Sequence, residues 1–159
     1  MAITYEPIGT TTLTSTAAIS FTSIPATYTD LILVTKLNVS GGNDVDLRFN
    51  GDTGSNYSYV TFYGTGSTRS STRAGNLTFA RLDYYGYAET NVGHINIAHI
   101  QNYSNTNMYK AILARNNNAS NGTGLNSCLW RSNSAINSID IIGNYDAGSV
   151  ATLYGIKEA

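Results

Sequence analysis

The residues best suited to chemistry in this chain are two histidines, and their spacing works against them. His94 and His99 stand five apart in the run VGHINIAHIQNY. Imidazoles bind zinc and move protons near neutral pH. This run alternates as a β-strand does, however, and an odd spacing on a two-residue period sends the rings to opposite faces. One metal cannot collect both from a regular strand. Cys128 is the single cysteine, which excludes an internal disulfide and any site of several thiolates; it reads as a small core residue.

Oxygen ligands are more plentiful. Asp44, Asp46, Asn50 and Asp52 lie close in sequence and could meet a calcium ion, but they lack the regular acidic spacing and closing glutamate of the helical calcium loop. Asn50-Gly51-Asp52-Thr53-Gly54 instead supplies glycines for left-handed backbone and Asx side chains for backbone bonds, the chemistry of a tight connection. No Gly-rich phosphate loop follows a strand and opens a helix, and no Ser–His–acid set has a recognisable nucleophile setting. No carboxylate pair stands out as a glycosidase would require. The expectation is a protein without catalytic residues, bound metal or cofactor.

Aromatic side chains are the remaining candidates, because the sequence holds twelve Tyr and one Trp. Aromatic faces beside amides serve both sugar recognition and protein interfaces. That nominates Tyr57, Tyr59, Tyr63, Tyr84, Tyr85, Tyr87 and Trp130 as interface or glycan contacts. The same residue types are favoured in strands for packing alone, so core and contact readings stand side by side.

Strands must position these residues. A chain of 159 residues suits one domain. Its hydrophobic content of 42% can fill a core, while its charged content of 12% is about half the usual ~25%, leaving Thr, Ser, Asn and Gly to build the surface. A net charge of −1 offers no broad field for phosphates or anionic lipids, so neither nucleic acid nor membrane is an expected partner. The start MAITYEPIG shows neither a secretion signal nor a spanning helix, and the product is expected to stay in the cytosol where it is made. A surface this weakly charged lacks the self-repulsion that keeps monomers apart, and suits assembly or sugar contact.

Along the chain, Leu31-Ile32-Leu33-Val34 is apolar on both strand faces and belongs at a sheet centre or against another subunit. Val45, Leu47 and Phe49 alternate with Asp44, Asp46 and Arg48, and Tyr57, Tyr59, Thr61 and Tyr63 share a face opposite Ser58, Val60 and Phe62. Residues 1–14 read as an extended N-terminal arm able to pair at an edge. Gly64 to Gly75 reads as a mobile loop, and Asn116 to Gly124 as another. About eight to ten strands at ~10–15 residue spacing and no convincing helix predict an all-β fold. It is expected to be an antiparallel jelly-roll-like β-sandwich in one domain over 1–159.

Several segments together resemble a group of tailed-phage virion proteins, found as small stand-alone chains or as terminal domains of tail-fibre-like proteins. They are IPATYTDL (24–31), LRFNGDTGSNY (47–57), LWRS (129–132), AINSI (135–139), and Gly148-Ser149 through TLYGI (152–156). Residues 64–91 carry no matching motif. The resemblance implies a virion structural role, with jelly-roll domains working as homo-oligomers, often trimers. The absence of repeats or coiled-coil heptads for a shaft favours a capsid decoration or cement protein. It would bind the major capsid protein of the same virion by multipoint attachment, using residues 2–14 or a strand edge. The alternative is a tail fibre or spike receptor-binding domain whose aromatic loops engage a host surface glycan.

Overall fold

The computed structural model describes residues 5–40, 44–83, 94–118 and 122–157. Their strands are β1 (Tyr5–Thr12), β2 (Ala17–Phe21), β3 (Asp30–Leu37), β4 (Asp46–Phe49), β5 (Tyr57–Gly64), β6 (Arg69–Leu77), β7 (Ala80–Arg81), β8 (His94–Ile100), β9 (Lys110–Asn118), β10 (Gly122–Trp130), β11 (Ile139–Tyr145) and β12 (Val150–Ile156). Every pairing is antiparallel. One sheet runs β1-β12-β3-β8-β9-β10-β5-β6 and the other β2-β11-β4-β7, giving an all-β sandwich with a shared core.

Eight of these strands form two sets of four, β1-β12-β3-β8 and β2-β11-β4-β7, and from one to the next in chain order the sheet changes at every step except β4 to β7. The other four arrive as two hairpins. β5-β6 is inserted between β4 and β7, and β9-β10 between β8 and β11; together they continue the large sheet past β8.

The inner faces hold Leu31, Leu33, Ile100, Ile112, Tyr57 and Trp130 from the large sheet against Ile19, Leu47, Phe49, Ile139 and Ile141 from the small one. In β3, Leu31 and Leu33 are buried while Ile32 and Val34 on the other face are half-buried. This matches the central place its two apolar faces require. At β12 the ring of Tyr28 lies where a Cβ on Gly155 would sit, 2.3 Å from its Cγ, so only glycine fits beneath it.

Two segments differ from their sequence reading. Residues 69–77 form β6, an edge strand paired with β5 from Gly64 to Tyr57, rather than a mobile loop. The connecting turn is built from hydroxyls: Thr65 Oγ1 accepts from the amides of Ser67 (3.2 Å) and Thr68 (3.1 Å). Pairing along a whole strand outweighs the weak β preference of a Ser/Gly-rich composition. The Asn/Gly run at 116–124 is likewise largely strand, since β9 continues to Asn118 and β10 begins at Gly122. Residues 5–12 are extended and pair at the sheet edge, in register with β12, as the reading of an N-terminal segment able to pair at an edge expects.

Candidate docking surface

The groups that looked chemical in the sequence are consumed by the fold. His94 faces the interior and His99 faces out, as their spacing requires. His94 Nε2 lies 2.8 Å from Asp83 Oδ2 with both side chains fully enclosed, and its Nδ1 is 3.1 Å from Asn96 Nδ2. His99 Nε2 lies 2.7 Å from Asp30 Oδ2. Cys128 is buried and unpaired, its Sγ donating to Arg81 O at 2.8 Å. Burial pushes the thiol up to about 12, so it is protonated and inert at neutral pH.

The four oxygen-bearing residues are also spoken for. Asp44 and Asp46 both hold Arg81, Asp46 through paired contacts of 3.0 and 3.1 Å. Burial raises the Asp46 carboxyl to about 6, more than the guanidinium lowers it. Among the described residues no group of His, Cys, Asp and Glu could hold a metal ion.

Asn50 and Asp52 act as clamps. Asn50 and Gly51, at φ 53° and 66°, turn the chain through the bond from Asp52 N to Phe49 O, 2.9 Å. From that corner Asn50 Nδ2 donates to Ala135 O at 2.8 Å, and its Oδ1 accepts from the amides of Asn137 (2.9 Å) and Ser138 (3.2 Å). Asp52 accepts from Trp130 Nε1 (2.7 Å), Asn56 Nδ2 (3.0 Å) and the Gly54 amide (2.8 Å). Burial raises its carboxyl, but these donors together outweigh burial and leave it below the ordinary value. Arg131 closes the clasp, bonding Asn56 O through its amide and Ser55 O through its guanidinium, each at 2.8 Å.

The aromatic candidates need correction. Tyr57, Tyr59 and Trp130 are 0%, 8% and 2% exposed, so their rings have no face to offer a glycan or a partner. Tyr57 and Trp130 stack with centroids 6.1 Å apart, and Phe49 packs on Trp130 at 5.4 Å. Tyr63, at the end of the same face, is half-buried, and Tyr84, Tyr85 and Tyr87 lie outside the described residues. The two-residue period divides β5 correctly, but its tyrosine face is the inner one. Sheet pairing then turns Val60 and Phe62 outward.

That outer face is where the structure leaves unmet demand. Val60, Phe62, Ile95, Leu113 and Leu125 are between 40% and 59% exposed. Phe62 stands directly across from Leu125, and Leu125 from Arg115. Arg115 in turn faces Ile97, while Leu113 lies across from Ser127, itself opposite Val60. The result is a group of exposed apolar side chains spread across β8, β9, β10 and β5, with Arg115 and Ser127 set among them. Two open hollows flank it, one floored by Phe62, Gly64, Arg69, Ser71 and Leu125, the other by Val60, Arg73, Ala111, Ser127 and Leu129. Exposed apolar side chains grouped on a sheet face among polar groups make it a candidate interaction surface. The sequence reading missed it because alternation separates Val60 and Phe62 from the tyrosine face of β5 without saying which of the two is covered.

No protein-family model, curated protein or solved structure matches this chain.

Proposed function

We propose that this chain is a structural protein of a tailed-phage particle. In this reading it is a capsid decoration or cement protein that docks on the assembled shell, contacts the major capsid protein, and works as a homo-oligomer, a trimer in the favoured form. The observation that carries the docking role is the exposed group of Val60, Phe62, Leu113 and Leu125 in the middle of a sheet. Apolar area left in water forgoes roughly 25 cal/mol per Å² that a closed interface recovers, and multipoint attachment of an oligomer multiplies modest contacts. The motif resemblance supplies the particle.

The alternation of β1-β12-β3-β8 with β2-β11-β4-β7 supports reading the sandwich as a jelly roll, two four-stranded sheets built from Greek keys, enlarged by two inserted hairpins. Docking moves from the N-terminal arm to the sheet face, because residues 5–12 are committed to β12. The glycan-binding alternative loses Tyr57, Tyr59 and Trp130 as contacts, since all are interior. A reconstruction of the intact particle tests the proposal. The expected result is this chain on the shell with the large sheet turned towards it; the chain at a tail tip, and none on the shell, would overturn it.

A further inference from the structure

The charges of this molecule are segregated in a way its net value hides. Between Asp52 and Asp83, and again between Glu89 and Asp140, the sequence contains no acid. Those two stretches supply β5, β6, β8, β9 and β10, the whole extension of the large sheet with the strand it starts from. Among the described residues the outer face carries Lys36, Arg69, Arg73 and Arg115 against one carboxylate, Asp30, which is occupied by His99 and by the amide of Asn102 at 2.7 Å.

None of the ion pairs between described residues involves Arg69, Arg73 or Arg115. Their cross-strand neighbours are neutral: Gly64 for Arg69, Val60 for Arg73, Ile97 and Leu125 for Arg115. The small sheet is balanced instead, with Asp46 on Arg81, and Asp140 bonded to Ser20 and directly across from Arg48.

From this pattern we infer that the outer face of the extension is complementary to an acidic protein surface with an apolar centre, an inference that rests on the docking role proposed above. Arg69 and Arg73 are four residues apart on β6 and so about 13 Å apart, and Arg115 lies three strands away, about 16 Å from each, by ordinary strand spacings. The partner presents carboxylates at the corners of such a triangle and apolar side chains inside it, against Phe62 and Leu125. Charge complementarity of this kind selects the partner and orients it.

A second copy of this chain fits badly, because face-to-face pairing would set arginines against arginines, and the one acid on either outer face, Asp30, is already held by His99 and the Asn102 amide. A polyanion such as duplex DNA or a sulfated glycan would engage the arginines but leave the apolar side chains without a partner.

The test is co-sedimentation of the intact chain with shells of the phage that encodes it, stripped of this protein, at about 0.05 M and about 0.5 M salt, where screening lengths differ several-fold. Four proteins are compared: the parent, R69Q/R73Q/R115Q, R69K/R73K/R115K and F62S/L125S. Unchanged melting of each variant establishes folding, which exposed positions allow. The expected result is parent binding that weakens about tenfold or more at high salt. The Gln variant should be about tenfold weaker at low salt with little salt response, the Lys variant should keep the salt response, and F62S/L125S should lose binding at both salts. If the Gln variant binds like the parent while F62S/L125S does not, the acidic partner is wrong and the docking face stands. No parent binding to shells overturns the docking role itself, and with it this inference. Parent binding to duplex DNA or heparin alone, or dimerisation abolished by F62S/L125S without shell binding, would also overturn the inference and name a polyanion or a second copy instead.

Discussion

Two regions of one chain use the same residue types to opposite ends. At the clasp joining the turn at 50–56 to the segment 130–138, every polar group named above has a partner and every ring is enclosed: Asp52 holds Trp130, Asn50 holds three backbone groups, and Phe49, Tyr57 and Trp130 pack together. On the outer face of β5, β9 and β10, valine, phenylalanine and leucine stand in water beside arginines with neutral neighbours. The first arrangement pins the two sheets to each other and has nothing left to offer. The second is the surface on which the proposed docking role rests. Motif strength therefore misleads: LRFNGDTGSNY and LWRS, the segments that carry most of the resemblance, meet in the clasp, where their work is structural, while most of the proposed docking face lies elsewhere.

This contrast can be broken in four places. Trp130→Ala removes the stacked ring and the Asp52 bond together, and a loss of about 3–5 kcal/mol in urea unfolding is expected for a buried Trp; a loss under about 1 kcal/mol would mean the clasp is slack.

A smaller effect comes from Asp46. Its folded value of about 6 lies above the ordinary 3.8, so between those values the folded chain holds a proton that the unfolded chain releases. Its contribution to stability is therefore present at the low end of that window and is lost as pH rises from about 4 to about 6, by roughly 2–3 kcal/mol. Asp52, held below its ordinary value, has the opposite sign: its contribution is present above the ordinary carboxylate range and lost as pH falls. The difference between parent and Asp46→Asn isolates the first slope. Urea midpoints that shift in parallel for both proteins across this window would show that Asp46 carries no such linkage.

Asn50→Ala should cost roughly 1–3 kcal/mol, since the Ala135 carbonyl and the 137 and 138 amides lose their partner and alanine must adopt a left-handed φ. Thermal melting reads this, and an unchanged melting temperature would remove Asn50 from the clasp. The smallest effect belongs to the outer face. Phe62→Ser and Leu125→Ser should each move stability by no more than about 0.5 kcal/mol. A loss near that of Trp130→Ala would make these side chains part of the core and end the comparison.

Much of the sandwich was legible in the sequence because period two and Asx/Gly turns are local signals. The alternation of 45–49, the doubly apolar 31–34 and the facing of His94 and His99 all follow from it. What local signals could not give is which side of β5 is covered, since Tyr57-Tyr59-Thr61 and Val60-Phe62 are both plausible inner faces until the small sheet is laid on one of them. β6 was missed for a related reason: a Ser-, Thr- and Arg-rich run becomes a strand only because β5 stands beside it. The acid-free stretches 53–82 and 90–139 were readable and pointed to the docking face, but a net charge of −1 concealed them.

The most direct measurement is thiol labelling of two variants with one added cysteine each, Ser127→Cys on the outer face of β10 and Ala18→Cys on exposed β2, free and bound to shells. The native Cys128 thiol is buried and stays silent. If the large sheet is the docking face, maleimide reacts at position 127 in the free chain and is blocked on the shell, while position 18 reacts in both. Position 127 remaining reactive on the shell, with position 18 blocked, would place the contact on the small sheet and contradict the docking face described above.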